Sequence, residues 1–169
     1  GSANTLGSLS SGATTLNITG AQNMTITGNA TATTIDASAA TGKITLTTDN
    51  TKAVSITTGS GADSVTMTGT NTLTDTVKLG AGNDTVTFTA TLDDADVVDG
   101  GEGTDTVVGI SADLIALTTA ATTSNLTNFE TVQVSDQLDG SINFSDDVQE
   151  DGLTTITLAT SGEDLVDGT

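Results

Sequence analysis

Three stretches of this chain carry residues that can hold a hard metal ion: GSGADSV (59–65), GAGNDTV (80–86) and GEGTDTV (101–107), all of the form G-x-G-x-D-x-V. The aspartate supplies carboxylate oxygen, and glycines let backbone carbonyls approach a cation with no Cβ in the way. Oxygen donors in a chain without Cys or His select Ca2+ over transition metals. The candidate ligands are Asp63, Asp84 and Asp105, with carbonyls from Gly59, Gly61, Gly80, Gly82, Gly101 and Gly103. Asp75 and Asp96, each two residues before a valine, are candidates for a second edge, although Asp75 lacks the paired glycines. The alternative is a set of metal-free Gly/Asp turns.

The three motifs repeat at 21-residue steps, and so do Val65, Val86 and Val107 behind them. A second apolar series, Ile35, Ile56, Val77 and Val98, has the same period but lies out of phase with the first. Two short strands per repeat follow, and the elements that position the aspartates are the coils of a solenoid, stacked as parallel strands about 4.8 Å apart. The expected fold is all-β: a right-handed parallel β-solenoid with ~21-residue coils, the inward residues of each coil resting on their counterparts in the next. Counting back at the same period pairs Ile44 with Val65 and Gly42 with Asp63, with Met24 or Ile26 one coil earlier. Outward threonines suit the solvent side, where Thr and Asn ladders join coil to coil.

Stacking turns the aspartates into an electrostatic problem. Equivalent carboxylates about 4.8 Å apart repel by roughly 3 to 4 kcal/mol at an effective dielectric near 20. A divalent ion between coils reverses that sign, so Asp63 with Asp84, and Asp84 with Asp105, are expected to frame inter-coil Ca2+ sites.

With 22 acidic residues against three lysines, the chain has a formal charge of -19. That excludes nucleic acid, which needs clustered Lys and Arg, and opposes docking on anionic lipid. A mean hydropathy of +0.03 and recurring β-branched residues argue for a folded chain over a disordered one. No disulfide framework is possible, no apolar run is long enough for a membrane span, and Gly1-Ser2 reads as a cloning scar on a piece of a longer protein whose export signal lies elsewhere. The expected organisation is Thr/Asn-rich coils over 3–58, motif-bearing coils over 59–109, and a less regular capping part over 110–169. That last part holds one short helix from Ser111, as its N-cap, through SADLIALTTAA, followed by strands in 129–134, 140–145 and 153–160. The acidic groups at 145–152 and 162–168 read as solvated loops, and Asp36 with Ser38 as a local Asx-type turn.

The motifs GSGADSV, GAGNDTV and DGGEGTDTV resemble RTX calcium-binding repeats of proteins exported by type I secretion, over about 59–109. TTIDASAATGKITLTT (33–48) and LTNFETVQVSD (126–136) are similar to segments that accompany such repeats in RTX-type surface-layer (S-layer) proteins of Gram-negative bacteria. Rolls of that family place the nonapeptide on both edges and use a shorter coil, which puts second-edge ions here in doubt. The resemblance implies a secreted, Ca2+-stabilised cell-surface protein, with calcium driving folding and assembly and self-association into a lattice or fibre. A Ca2+-rigidified adhesin or spacer module is the alternative. Catalysis is not expected: His, Cys, Tyr and Arg are absent, and the acid–base candidate in a carbohydrate-active β-helix, DDAD (93–96), has no aromatic platform beside it, Phe88, Phe129 and Phe144 being read as core residues.

Overall fold

The structure of the chain, a computed structural model, describes residues 4–7, 14–48, 51–70, 72–89, 92–119, 126–138, 140 and 152–158. Its strands are β1 (Asn4–Leu6), β2 (Thr15–Gly20), β3 (Met24–Ala30), β4 (Thr34–Ala40), β5 (Ile44–Thr48), β6 (Ser55–Thr57), β7 (Ser64–Met67) and β8 (Thr76–Lys78), then β9 (Ala81–Gly82), β10 (Thr85–Phe88), β11 (Val97–Asp99), β12 (Glu102–Gly103) and β13 (Thr106–Gly109). After the single described helix α1 (Ser111–Thr119) come β14 (Leu126–Thr127), β15 (Thr131–Val134) and β16 (Thr155–Leu158).

All the strand pairs are parallel, and they alternate between two faces of one winding body. One sheet runs β1-β3-β5-β7-β10-β13-β15-β16, the other β2-β4-β6-β8-β11-β14, and a short third sheet joins β9 to β12. This is the β-solenoid expected from the repeat, with coils about 21 residues apart. Alternation within strands such as TVTF sends every second residue inward. Leu46, Val65, Val86, Val107 and Val132 form one buried column, and Ile35, Ile56, Val77 and Val98 the facing one. Phe88 sits on Met67, and Phe88 and Phe129 are both in the core, while Phe144 lies outside the described residues.

The outward positions of the larger sheet form a second regularity. Thr5, Thr25, Thr45, Ser64, Thr85, Thr106, Thr131 and Thr155 lie in register, one hydroxyl per coil. Threonine fits here because its branched Cβ favours the pleat while its hydroxyl remains accessible to water.

The early coils are shorter than the 21-residue period, which corrects the pairing drawn from it. Thr45 lies opposite Ser64 and Leu46 opposite Val65, so Val65 rests on Leu46 and not on Ile44. Gly42 accordingly lies against Gly61 and not beside Asp63. Constant spacing in 59–109 does not extend upstream because the corner after β5 is shorter than the one after β7.

Helix α1 stands where the sequence places it, with Leu114 in the core. Ser111, expected as its N-cap, directs its N–H and its hydroxyl to Asp136 at 2.6 and 3.5 Å. The expected strands at 129–134 and 153–160 appear as β15 and β16, and that at 140–145 falls outside the described residues.

Candidate metal centre: an aspartate ladder at the corners

Each motif aspartate occupies the residue just before a strand of the larger sheet, where the chain turns a corner and the N–H cannot join the sheet ladder. The next coil solves this with a side chain. Ile44 N–H donates to Asp63 Oδ1 at 2.7 Å, Asp63 N–H to Asp84 Oδ1 at 2.6 Å, and Asp84 N–H to Asp105 Oδ1 at 2.7 Å. A backbone bond closes the same junction in the other direction, Thr85 N–H to the Asp63 carbonyl at 3.0 Å and Thr106 N–H to that of Asp84 at 2.9 Å. Adjacent coils are therefore clamped at two points at this corner.

Asp75 and Asp96 build a second column at a different corner, ahead of β8 and β11. Val54 N–H donates to Asp75 Oδ1 at 2.7 Å and Asp75 N–H to Asp96 Oδ1 at 2.8 Å. The structure thus groups Asp63, Asp84 and Asp105 in one column and Asp75 and Asp96 in another. Asp93 and Asp96 of DDAD are tied into a turn, Asp93 N–H to Asp96 Oδ2 and Ala95 N–H to Asp93 Oδ1.

One member of the ladder and one further column were not singled out in the sequence. Glu130 occupies the aspartate position one coil beyond the last motif, and its Oε2 accepts the Asp105 N–H at 2.7 Å. The spacing there is 25 residues, outside the period, and the only signal is E-T-V standing for D-T-V. A third acidic column, Asp113 with Asp136, accepts the N–H groups of Leu92 and Ser111.

The motif glycines meet a steric demand of their own. A Cβ on Gly80 or Gly101 would overlap the carbonyl oxygen of the first motif glycine one coil back, and a Cβ on Gly82 or Gly103 that of the third-position glycine. Gly59 and Gly61 are equally crowded, against Ala40 and Gly42. The carbonyls of Gly59 and Gly80 accept from Ala81 and Glu102 N–H at 2.8 Å. Close coil stacking therefore requires these glycines independently of any ion.

What distinguishes the three motifs is the second carboxylate oxygen. Asp63 Oδ2 receives the Gly59 N–H at 3.3 Å, and Lys43 lies close enough to favour its charge. In the next two coils the first glycine is left-handed, with φ 87° at Gly80 and 92° at Gly101, and Gly101 N–H goes to Asp99 Oδ1 instead. Asp84 Oδ2 and Asp105 Oδ2 are buried without a hydrogen-bond partner.

The electrostatics follow. Burial pushes Asp84 up to about 7, with Asp63 and Asp105 nearby adding to the rise and the Asp63 N–H opposing it. Burial likewise raises Asp105 to about 6, reinforced by Glu130 and Asp99, and Asp96 to about 6, reinforced by Asp93 and Asp75. Asp63 is raised by burial, held back by N–H donors including Ile44 and Gly59. At the opposite extreme, exposed Asp36 is lowered by the Ser38 hydroxyl and N–H, the Asx-type turn expected there.

The donor set at the first corner consists of oxygen alone, and its two orphaned carboxylate oxygens fit a hard cation. Among the described residues, no three His, Cys, Asp or Glu side chains form a ready-made metal cluster. A cation here would draw one carboxylate oxygen from each coil and complete its shell with carbonyls and water. Asp84 and Asp105 fit that role better than Asp63, whose oxygens both have donors. Comparison with protein-family models, with curated proteins and with solved structures found no match.

Proposed function

We propose that this chain is a structural, non-catalytic segment of a secreted bacterial cell-surface protein of the S-layer type, an RTX-like solenoid whose acidic corners are neutralised by Ca2+. The observation that carries the reading is the pair of buried, donor-less oxygens on Asp84 and Asp105, in a chain with 22 acids and three lysines. Bound Ca2+ would supply the positive charge that these corners lack. The chain's own residues do the rest: Oδ1 of each aspartate sets coil spacing, the glycines permit it, and Oδ2 waits for a cation.

Such a chain is a folding switch. Where calcium is scarce, as inside a cell, stacked carboxylates disfavour the coils and the polypeptide stays exportable. Outside, binding adds to folding free energy by mass action, about 2.7 kcal/mol per site at a hundredfold excess over Kd. A rigid solenoid then serves as a building unit for self-association of the full-length protein into a lattice or fibre.

A metal-free solenoid is the competing reading, favoured by the same ladder: every motif Oδ1 already has its N–H, so the corners are partly satisfied without an ion. Circular dichroism and thermal melts at pH 8 decide between them. Calcium should raise the Tm well above that in EGTA, and a full β-spectrum with unchanged Tm in excess EGTA would sink the calcium reading.

A further inference from the structure

We propose that the ladder ends in an additional divalent-cation site, formed by Asp105, Glu130 and the backbone carbonyl of Asn128, one coil beyond the last G-x-G-x-D turn. The inference rests on the reading that calcium occupies the ladder, and extends it to residues outside the repeat.

Asp105 Oδ2 is buried, lacks a donor and borders this corner. Glu130 is brought beside it by the register of β13 and β15, in which Thr106 lies opposite Thr131. Its Oε2 is fixed by the Asp105 N–H, so the carboxylate is positioned before any ion arrives. The third oxygen comes from an unusual backbone. Asn128 is the one non-glycine residue with positive φ among those described, at 57°. It is held there by its own side chain, whose Nδ2 donates to Asp99 Oδ1 at 2.7 Å.

Gly100 shows that two of these oxygens, those of Asn128 and Asp105, converge. A Cβ built on it would overlap the Asn128 carbonyl oxygen and lie 3.0 Å from Asp105 Oδ2, so both face the same side of this glycine. Asp99 contributes charge more than ligation, because its Oδ1 already accepts from Gly101 and Asn128. Two carboxylates and a carbonyl, with water completing six to eight positions, suit Ca2+ and offer nothing to a soft metal.

Calcium calorimetry and Tb3+ luminescence titration on the whole chain test this with Glu130→Gln and Asp84→Asn. Glutamine keeps an oxygen for the Asp105 N–H and removes the charge. One class of sites should weaken by about tenfold or more in E130Q, since ligand charge sets affinity, and D84N should retain that class. If E130Q superimposes on wild type while D84N loses binding, this terminal site is overturned and the ladder reading stands. If wild type binds neither ion, both fall. A measurement on unmodified protein guards against misfolding of the variant: substoichiometric Mn2+ should broaden the Gly100 and Asn128 amide resonances as strongly as that of Gly82, and sharp signals at both would overturn the proposal.

Discussion

Asp84 illustrates how one side chain can be structural and unsatisfied at once. Its Oδ1 is a hydrogen-bond acceptor that sets coil spacing, and its Oδ2 is a buried charge without a donor. An asparagine can perform the first task without the second. In metal-free protein at pH 8, Asp84→Asn should therefore stabilise the fold by roughly 1–3 kcal/mol, the scale of a buried unsatisfied polar group, whereas in calcium it should lose part of the wild-type gain. The pH dependence follows from the raised carboxyl. Because Asp84 moves from 3.8 in the unfolded chain to about 7 in the folded one, its contribution is fully present below 3.8 and is lost as pH rises through 7. Asp96 and Asp105 act in the same sense through about 6. Metal-free wild type should accordingly melt at progressively lower temperature from pH 5 to pH 8, and D84N should flatten that slope. Thermal melts in EGTA across this range check both, and a slope of opposite sign would contradict the assignment.

The element that makes coil stacking possible is the glycine corner, not the strand. Gly103 has φ 144° and no room for a Cβ beside the Gly82 carbonyl, whereas Thr87 faces outward in β10. Gly103→Ala should destabilise by about 2–4 kcal/mol through backbone strain and lost β9–β12 pairing; Thr87→Val should stay within roughly 0.5 kcal/mol. Urea unfolding with and without calcium measures both, and equal costs would mean that coil contact at the corner is not limiting. The same corners explain what could be read in advance. Val65, Val86 and Val107 revealed the coil because identical corners preserve the period and a buried column requires like residues in register. The 19-residue step from Ile44 to Asp63 and the 25-residue step from Asp105 to Glu130 were hidden because corner length varies where the motif ends. The division of labour between Oδ1 and Oδ2 was equally hidden, since G-x-G-x-D-x-V specifies an acid at the corner but not which N–H reaches it. Gly59 and Gly80 look equivalent in sequence, yet only the second is left-handed.

Across the whole molecule, contacts link each coil mainly to its neighbours, so stability is close to a sum of coil and interface terms, and local opening need not be global. Charge is spread unevenly over this line. Among the described residues, the coils of β2 to β5 carry Asp36 in an exposed local turn and no ladder of buried acids, while those from β6 to β15 contain all three acidic columns. Removal of calcium should therefore loosen one stretch selectively. Native-state hydrogen exchange in EGTA should show the amides of Asp63, Asp84 and Asp105, each donating to a carboxylate of the next coil, losing protection by about tenfold or more relative to calcium, as expected where sub-global opening separates from global unfolding. Amides of β4, and those of β5 beyond Ile44, whose own N–H donates to Asp63, should change far less, because apolar stacking of Ile35 and Leu46 continues to hold them. Uniform loss along the chain would indicate that the solenoid unfolds as one unit and that its acidic corners have no independent stability for calcium to control.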